Sequence, residues 1–126
     1  MKKNLLFCIM AMTILLSACS GASGNINKAF DIVKQKGDAN KVYEYITSSP
    51  IDYEKLSMEE MAKLGICSMY IQTSSWGHAD EQTREKNKVL GEMSEETMKI
   101  KRTWTPEQQR EFMEIVKELT KEDKTK

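Results

Sequence analysis

The only histidine of the chain, His78, lies in the segment WGHADE at residues 76–81. An imidazole close to two carboxylates can bind a metal ion or act as a general base, so His78, Asp80 and Glu81 are candidates for such a site. Acidic residues also stabilise the amino end of a helix through its dipole. One histidine without cysteine partners falls short of the usual zinc ligand sets. We therefore expect a helix start here and no metal or cofactor site.

A second candidate for chemistry is the set of six methionines that follow residue 19. Thioethers are ligands that Cu(I) prefers, but methionine is also a flexible filler of apolar cores. Because nearly all of them fall in or beside apolar helix faces, we expect core packing. The six are Met58, Met61, Met69, Met93, Met98 and Met113.

One local cluster combines basic and aromatic side chains, at Lys99, Lys101, Arg102 and Trp104. Tryptophan and basic side chains favour the headgroup region of a membrane. Basic residues also suit the carboxyl end of a helix, which is the simpler interpretation. This cluster and Trp76 are the candidates for an interaction surface. The sequence has no nucleophile motif, glycine-rich phosphate loop or paired-cysteine motif, so we do not expect an enzyme.

The beginning of the chain carries a more specific pattern. Lys2 and Lys3 precede an uncharged, mostly apolar stretch at residues 5–16. This stretch is shorter than the roughly 20 residues that a helix needs to span a bilayer. A basic start, a short apolar middle and small residues at the end are typical of a secretory signal peptide.

The sequence Leu16-Ser17-Ala18-Cys19 closes that stretch and resembles the lipobox of bacterial lipoproteins. The resemblance covers residues 1–19 only. It implies that a type II signal peptidase removes residues 1–18 and that the thiol of Cys19 carries a diacylglycerol, with further acylation of the new amine. It also implies a membrane contact through the lipid. By the same resemblance, Ser20, where inner-membrane retention would use Asp, favours the outer membrane of a diderm cell. The absence of acidic residues at positions 20–24 favours the periplasmic side of that membrane.

Charge and cysteine content narrow the possible partners of the remaining residues, which suffice for one modest domain. The chain has nineteen basic and nineteen acidic side chains, and loss of Lys2 and Lys3 leaves a formal charge of −2. A nucleic-acid partner is not expected, because such proteins usually show a basic excess on one face. Cys8 would leave with the signal and Cys19 would be lipidated. Cys67 is then the only thiol, and its apolar surroundings predict burial.

Helix patterns dominate from residue 26 onward, and no strand pattern of useful length occurs. We predict an all-α, compact bundle of four to five short helices over residues 26–120. A lipid-anchored flexible tether at residues 19–25 precedes it, and a charged tail follows at 121–126. The tether, rich in Gly and Ser, would hold the domain close to the lipid. Gly37 is expected to end the first helix, and Asp38 to begin the second.

The third predicted helix is the expected centre of the core. It begins with a capping box, Ser57 with Glu60, and continues as a run that is apolar almost all round. Gly65 within it is expected to allow close approach of another helix. A long polar helix follows at residues 80–101, with Gly91 or Ser94 as a place where it could divide in two.

Two further patterns concern the last helices. On the long helix, Glu95 and Lys99 have the spacing of an i, i+4 ion pair. The last helix begins at Thr105, with Pro106 in its first turn and Gln108 completing a capping box. Its predicted buried face consists of Phe112, Ile115, Val116 and Leu119.

These patterns lead to a functional expectation. We expect a small lipid-anchored protein of the cell envelope whose helical domain binds another protein. The alternative is an envelope lipoprotein that binds a small ligand or a metal, through residues 76–81 or the methionines.

Overall fold

The computed structural model describes residues 21–78 and 80–121, and the regular structure in these ranges is entirely helical. The prediction of an all-α bundle is therefore confirmed. The predicted signal peptide, Cys19 and the tail beyond residue 121 lie outside the described residues. The helices are α1 (Gly21–Lys34), α2 (Ala39–Thr47), α3 (Met58–Ser74), α4 (Glu81–Lys101) and α5 (Pro106–Thr120), with a 3₁₀ turn at Tyr53–Lys55.

The helices run alternately in opposite directions, which gives the bundle two distinct ends. Asn25, near the start of α1, donates from Nδ2 to Oγ of Ser48, directly after α2, at 2.8 Å. At the opposite end, the hydroxyl of Tyr70 on α3 donates to the carbonyl oxygen of Gly37 at 2.7 Å. We call the end that carries the start of α1 the proximal end. The end that carries residues 35–38 and 75–80 is the distal end.

Helix α4 runs from the distal end to the proximal end. Near its start, Lys86 donates from Nζ to Oδ1 of Asn40 at the start of α2. Near its finish, Ile100 lines a cavity together with Tyr53 of the 3₁₀ turn. Residues 102–105, which connect α4 to α5, therefore lie at the proximal end.

Helix α3 forms the centre of the molecule, as predicted, because α1, α2, α4 and α5 all pack against it. Its Leu64, Cys67 and Ile71 are almost completely buried. Ten buried side chains form one continuous core, which also includes Ile26, Ala29 and Phe30 of α1, Val42 and Ile46 of α2, and Leu90 and Met93 of α4.

Two predicted capping boxes are confirmed. Ser57 Oγ accepts from the Glu60 backbone N–H at 3.1 Å, and the Ser57 N–H donates to Glu60 Oε1 at 2.9 Å. Thr105 and Gln108 exchange the corresponding bonds at 3.2 and 2.8 Å, with Pro106 in the first turn. Each box satisfies two backbone N–H groups that would otherwise lack a partner at the start of the helix.

The boundary between tether and domain differs from the prediction. Helix α1 begins at Gly21, so residues 21–25 belong to it and the helical domain does not start at residue 26. Asn25 fixes this first part by donating to both Ser48 and Ser49. Glycine and serine have low intrinsic helix propensity, and here the contacts with the end of α2 outweigh it.

Gly37 follows the end of α1, but it is not the residue with left-handed backbone at this turn. Lys36 takes the left-handed conformation, with φ of 57°. The Lys36 N–H donates to Val33 O at 3.0 Å and the Gly37 N–H to Ile32 O at 2.9 Å, which is a Schellman motif. A Cβ on Gly37 would lie 2.8 Å from Ile32 Cγ2, so glycine is required by close approach.

The expectation for Gly65 is wrong. It lies on an exposed part of α3, and a Cβ built there meets nothing within 4 Å. Helix α4 is one continuous helix through Gly91 and Ser94. Gly91 also has open space around its Cβ position. Neither glycine is therefore required by packing.

We expect Gly65→Ala and Gly91→Ala each to raise the free energy of unfolding by about 0.5–1 kcal/mol, because alanine loses less backbone entropy in a helix. Urea denaturation of the two variants measures this directly. Gly37→Ala is the matched control, and it should lower the free energy of unfolding through the contact with Ile32. A lower stability of Gly65→Ala would show that another chain segment occupies the space beside it.

Two details of the last helices also differ. Helix α5 packs against α3, but none of its side chains is fully buried. Its predicted apolar face is only half-buried, because a single helix covers it from one side. Lys99 pairs with Glu96 Oε1 at 3.2 Å and not with Glu95.

No helix in the described part of the chain is long and apolar enough to cross a membrane.

Candidate functional site

The segment around His78 forms an exposed turn between α3 and α4. Gly77 takes a left-handed φ of 86°, and the His78 N–H donates to Ser75 O at 3.0 Å. Asp80 caps α4 by accepting from the Thr83 N–H at 2.7 Å. This hydrogen bond lowers the pKa of the Asp80 carboxyl, since it stabilises the charged form. Asp80 therefore has the helix-start role that the sequence indicates.

His78 and Glu81 are both exposed, and together with Asp80 they do not form a metal site with three ligands. Across residues 21–78 and 80–121, no three His, Cys, Asp or Glu side chains are close enough to hold a metal ion. An open depression of about 280 Å³ borders His78. Its other lining residues are Gln72, Ser75, Trp76, Gly77 and Asn87.

The methionines divide into two groups, which corrects the expectation that they mainly fill the core. Met61 and Met93 are buried and Met58 is partly buried, whereas Met98 and Met113 are about half exposed. Met69 on α3 is 65% exposed. A helical pattern identifies an apolar side chain, but burial requires a neighbouring element to cover it, and none covers Met69 in the described part of the chain.

Met69 on α3 and Trp76 in the turn after it are the two most exposed large apolar side chains of the described residues. Trp76 is 77% exposed, and it follows Met69 by seven positions, just beyond the last residue of α3. We call these two residues the α3 patch. It includes the distal end of the bundle, through Trp76.

The basic and aromatic residues near 100 form a second surface, at the proximal end. The indole of Trp104 packs on the ring of Phe112, with centroids 5.2 Å apart and planes tilted by 53°. Lys101 Nζ lies 4.4 Å from the centre of the same ring. Burial lowers the pKa of Lys101. We call Lys101, Arg102, Trp104 and Phe112 the proximal cluster.

Lys99, which was a candidate for this cluster, pairs with Glu96 instead and both side chains are largely exposed. Phe112 was not identified as a partner from the sequence. Its contact with Lys101 depends on the turn at residues 102–105, which folds α5 back beside the end of α4. The i, i+3, i+4 pattern of α5 predicts only that Phe112 lies on its apolar face.

The proximal end also carries an open cavity of about 490 Å³ that sequence reasoning did not predict. It lies between the 3₁₀ turn and the end of α4, which are distant in the sequence. Burial and the nearby Glu96 carboxylate raise the pKa of Tyr53 on its wall. The cavity is lined by acidic, basic and apolar residues. They are Pro50, Ile51, Asp52, Tyr53, Glu54, Glu96, Lys99 and Ile100.

Cys67 is completely buried in the core, as predicted, and forms no disulfide with another described residue. Burial raises the pKa of its thiol to about 12. The thiol is therefore protonated at neutral pH, and the thiolate that reacts with electrophiles is almost absent. Cys67 is a small core side chain and carries no chemistry.

Comparison with protein families, with curated proteins and with solved structures finds no match to this chain. The geometry distinguishes two surfaces, the α3 patch and the proximal cluster, on opposite parts of the bundle. The α3 patch is apolar and strongly exposed, and the proximal cluster combines an indole with two cations. These two surfaces are the candidates for recognition.

Proposed function

We propose that this protein is a bacterial cell-envelope lipoprotein, anchored through acyl chains on Cys19, whose helical domain binds another protein. The observation that carries the proposal is the sequence Leu16-Ser17-Ala18-Cys19 at the end of a short apolar stretch with a basic start. Two or more acyl chains hold a protein firmly on a membrane, whereas one alone is marginal. Ser20 after Cys19 supports the outer membrane of a diderm cell, and the absence of acidic residues at positions 20–24 supports its periplasmic side.

The α3 patch supports a protein partner. Tryptophan is enriched among the residues that contribute most to protein interfaces. Methionine is flexible and polarisable, and it adapts to varied partner surfaces. Trp76 lies at the distal end, away from the start of α1, so a protein anchored through Cys19 would present it away from the lipid. This is the position that a partner in the envelope can reach.

Site-specific photocrosslinking in cells tests the partner. We expect a photoreactive amino acid in place of Trp76 or Met69 to give one discrete crosslinked product. Glu92, which is exposed on α4, is the matched control position and should give none. Equal products from all three positions, or no product at Trp76 and Met69, would contradict the proposed interface.

A further inference from the structure

We propose that the proximal end of the bundle lies on the surface of the phospholipid bilayer, with Arg102 and Trp104 in contact with the lipid headgroups. This inference rests on the proposed anchor at Cys19. It adds an orientation and a second contact to the proposed anchor.

The first argument is the position of the proximal cluster. Helix α1 begins at the proximal end, since Asn25 bonds to Ser48 and Ser49 just beyond α2. The end of α4 reaches the same end, because Ile100 and Lys99 line a cavity with the loop at residues 50–54. The fold therefore places Arg102 and Trp104 on the same end as the start of the described chain.

The second argument is the length of chain between the lipid and the fold. Gly21, the first residue of α1, is two positions after Cys19. Two residues span at most about 7 Å when fully extended. A connection this short holds the proximal end against the bilayer surface, and it excludes an arrangement in which the distal end faces the lipid.

The third argument is the chemistry of the cluster. The indole of Trp104 is half-buried against Phe112, so part of the ring is available to the headgroup region, where tryptophan is favoured. Lys101 and Arg102 form no ion pair with another described residue. Lys55 and Lys99 nearby are paired with Asp52 and Glu96, at 3.7 and 3.2 Å, and contribute less.

The acidic residues at the same end set the strength of this contact. Asp52, Glu54 and Glu96 face the cavity beside the cluster and oppose an anionic surface. One indole and two cations would therefore bind a bilayer only weakly in a chain without a lipid anchor. The anchor strengthens this contact, because linkage makes it intramolecular and raises its effective concentration.

Fluorescence of the two tryptophans provides the test, since Trp104 is proximal and Trp76 is distal. The acylated protein is purified from membranes and reconstituted in vesicles of phosphatidylglycerol and phosphatidylcholine that carry a bromine quencher close to the headgroup. Trp76→Phe leaves only Trp104, and we expect loss of its emission in these vesicles. Trp104→Phe leaves only Trp76, whose emission should not change.

Two exposed arginines at opposite ends of α4 give a matched pair for the charge contribution. Arg102→Gln in the Trp76→Phe background should reduce the quenching of Trp104 on anionic vesicles. Arg84→Gln in the same background should leave it unchanged. Equal quenching of Trp76 and Trp104, or quenching of Trp76 alone, would overturn the proposed orientation.

The mass of the purified protein separates the two proposals. A chain that carries acyl chains on Cys19 but shows no quenching of Trp104 contradicts the orientation alone, and the anchor stands. A chain without acyl chains contradicts both, because the orientation depends on the anchor. Quenching of Trp104 in an acylated chain supports both.

Discussion

Cys19→Ser will abolish incorporation of a palmitate label and will leave residues 1–18 attached to the chain. Serine has no thiol to accept the diacylglycerol, and the peptidase that cleaves before the modified cysteine loses its substrate. Each buried methylene contributes about 0.8 kcal/mol to membrane binding, so loss of the acyl chains removes the proposed lipid anchor, while the retained apolar stretch at residues 5–16 still associates with the membrane. Metabolic labelling with an alkynyl fatty acid measures the loss of the label, and the mass of the purified chain measures the loss of cleavage.

The other two cysteines are the controls for this experiment. Cys8→Ser changes the apolar stretch but leaves the processing site intact, so labelling should continue. Cys67→Ala removes a thiol that is completely buried in the core, and it should also leave the label in place. A label that persists in Cys19→Ser and disappears in Cys67→Ala would refute the proposed lipidation site.

Local signals account for the parts of the fold that the sequence predicts well. The capping boxes at Ser57 with Glu60 and at Thr105 with Gln108 depend on residues within four positions of each other. The apolar run of α3 identifies the central helix, because a helix without a polar face has to be enclosed. Cys67 belongs to that run, and its burial follows from the same pattern.

The predictions that were wrong concern which neighbouring helix covers which face of a given helix. Gly65 interrupts an apolar run, and the pattern therefore suggested a packing partner, yet the space beside it is open. Helix α5 has a clear apolar stripe, but α3 is the one helix that packs extensively against it, and its apolar side chains stay half-buried. A stripe gives the direction in which a helix packs. The amount of burial depends on how many helices meet there, which the stripe does not encode.

The candidate sites also divide into those that local sequence predicts and those that only the fold brings together. The lipobox pattern is contiguous, so a sequence is enough to propose it. The proximal cluster requires Phe112 on α5 to meet Lys101 and Trp104 across a turn, which local spacing does not give. The α3 patch was divided between a predicted core residue, Met69, and a predicted loop residue, Trp76. Only the fold shows that both are exposed.

Leu64→Ala should lower the free energy of unfolding by a large part of its total value. Leu64 is 2% exposed and belongs to the continuous core. Truncation of a buried leucine removes its transfer free energy and leaves a cavity, at a cost of about 2–5 kcal/mol. A small domain has roughly 5–15 kcal/mol of unfolding free energy in total, so a large part is lost. Urea denaturation of the purified protein measures the change.

Met69→Ala, on the same helix, is the matched control. Met69 is 65% exposed, and a surface substitution of this kind changes the free energy of unfolding by only about 0.5 kcal/mol. Similar losses in both variants would show that a partner or another segment covers Met69. Leu64→Ala should still incorporate the acyl label in cells, because the proposed lipobox lies before the folded domain. Stability and lipidation are therefore expected to change independently.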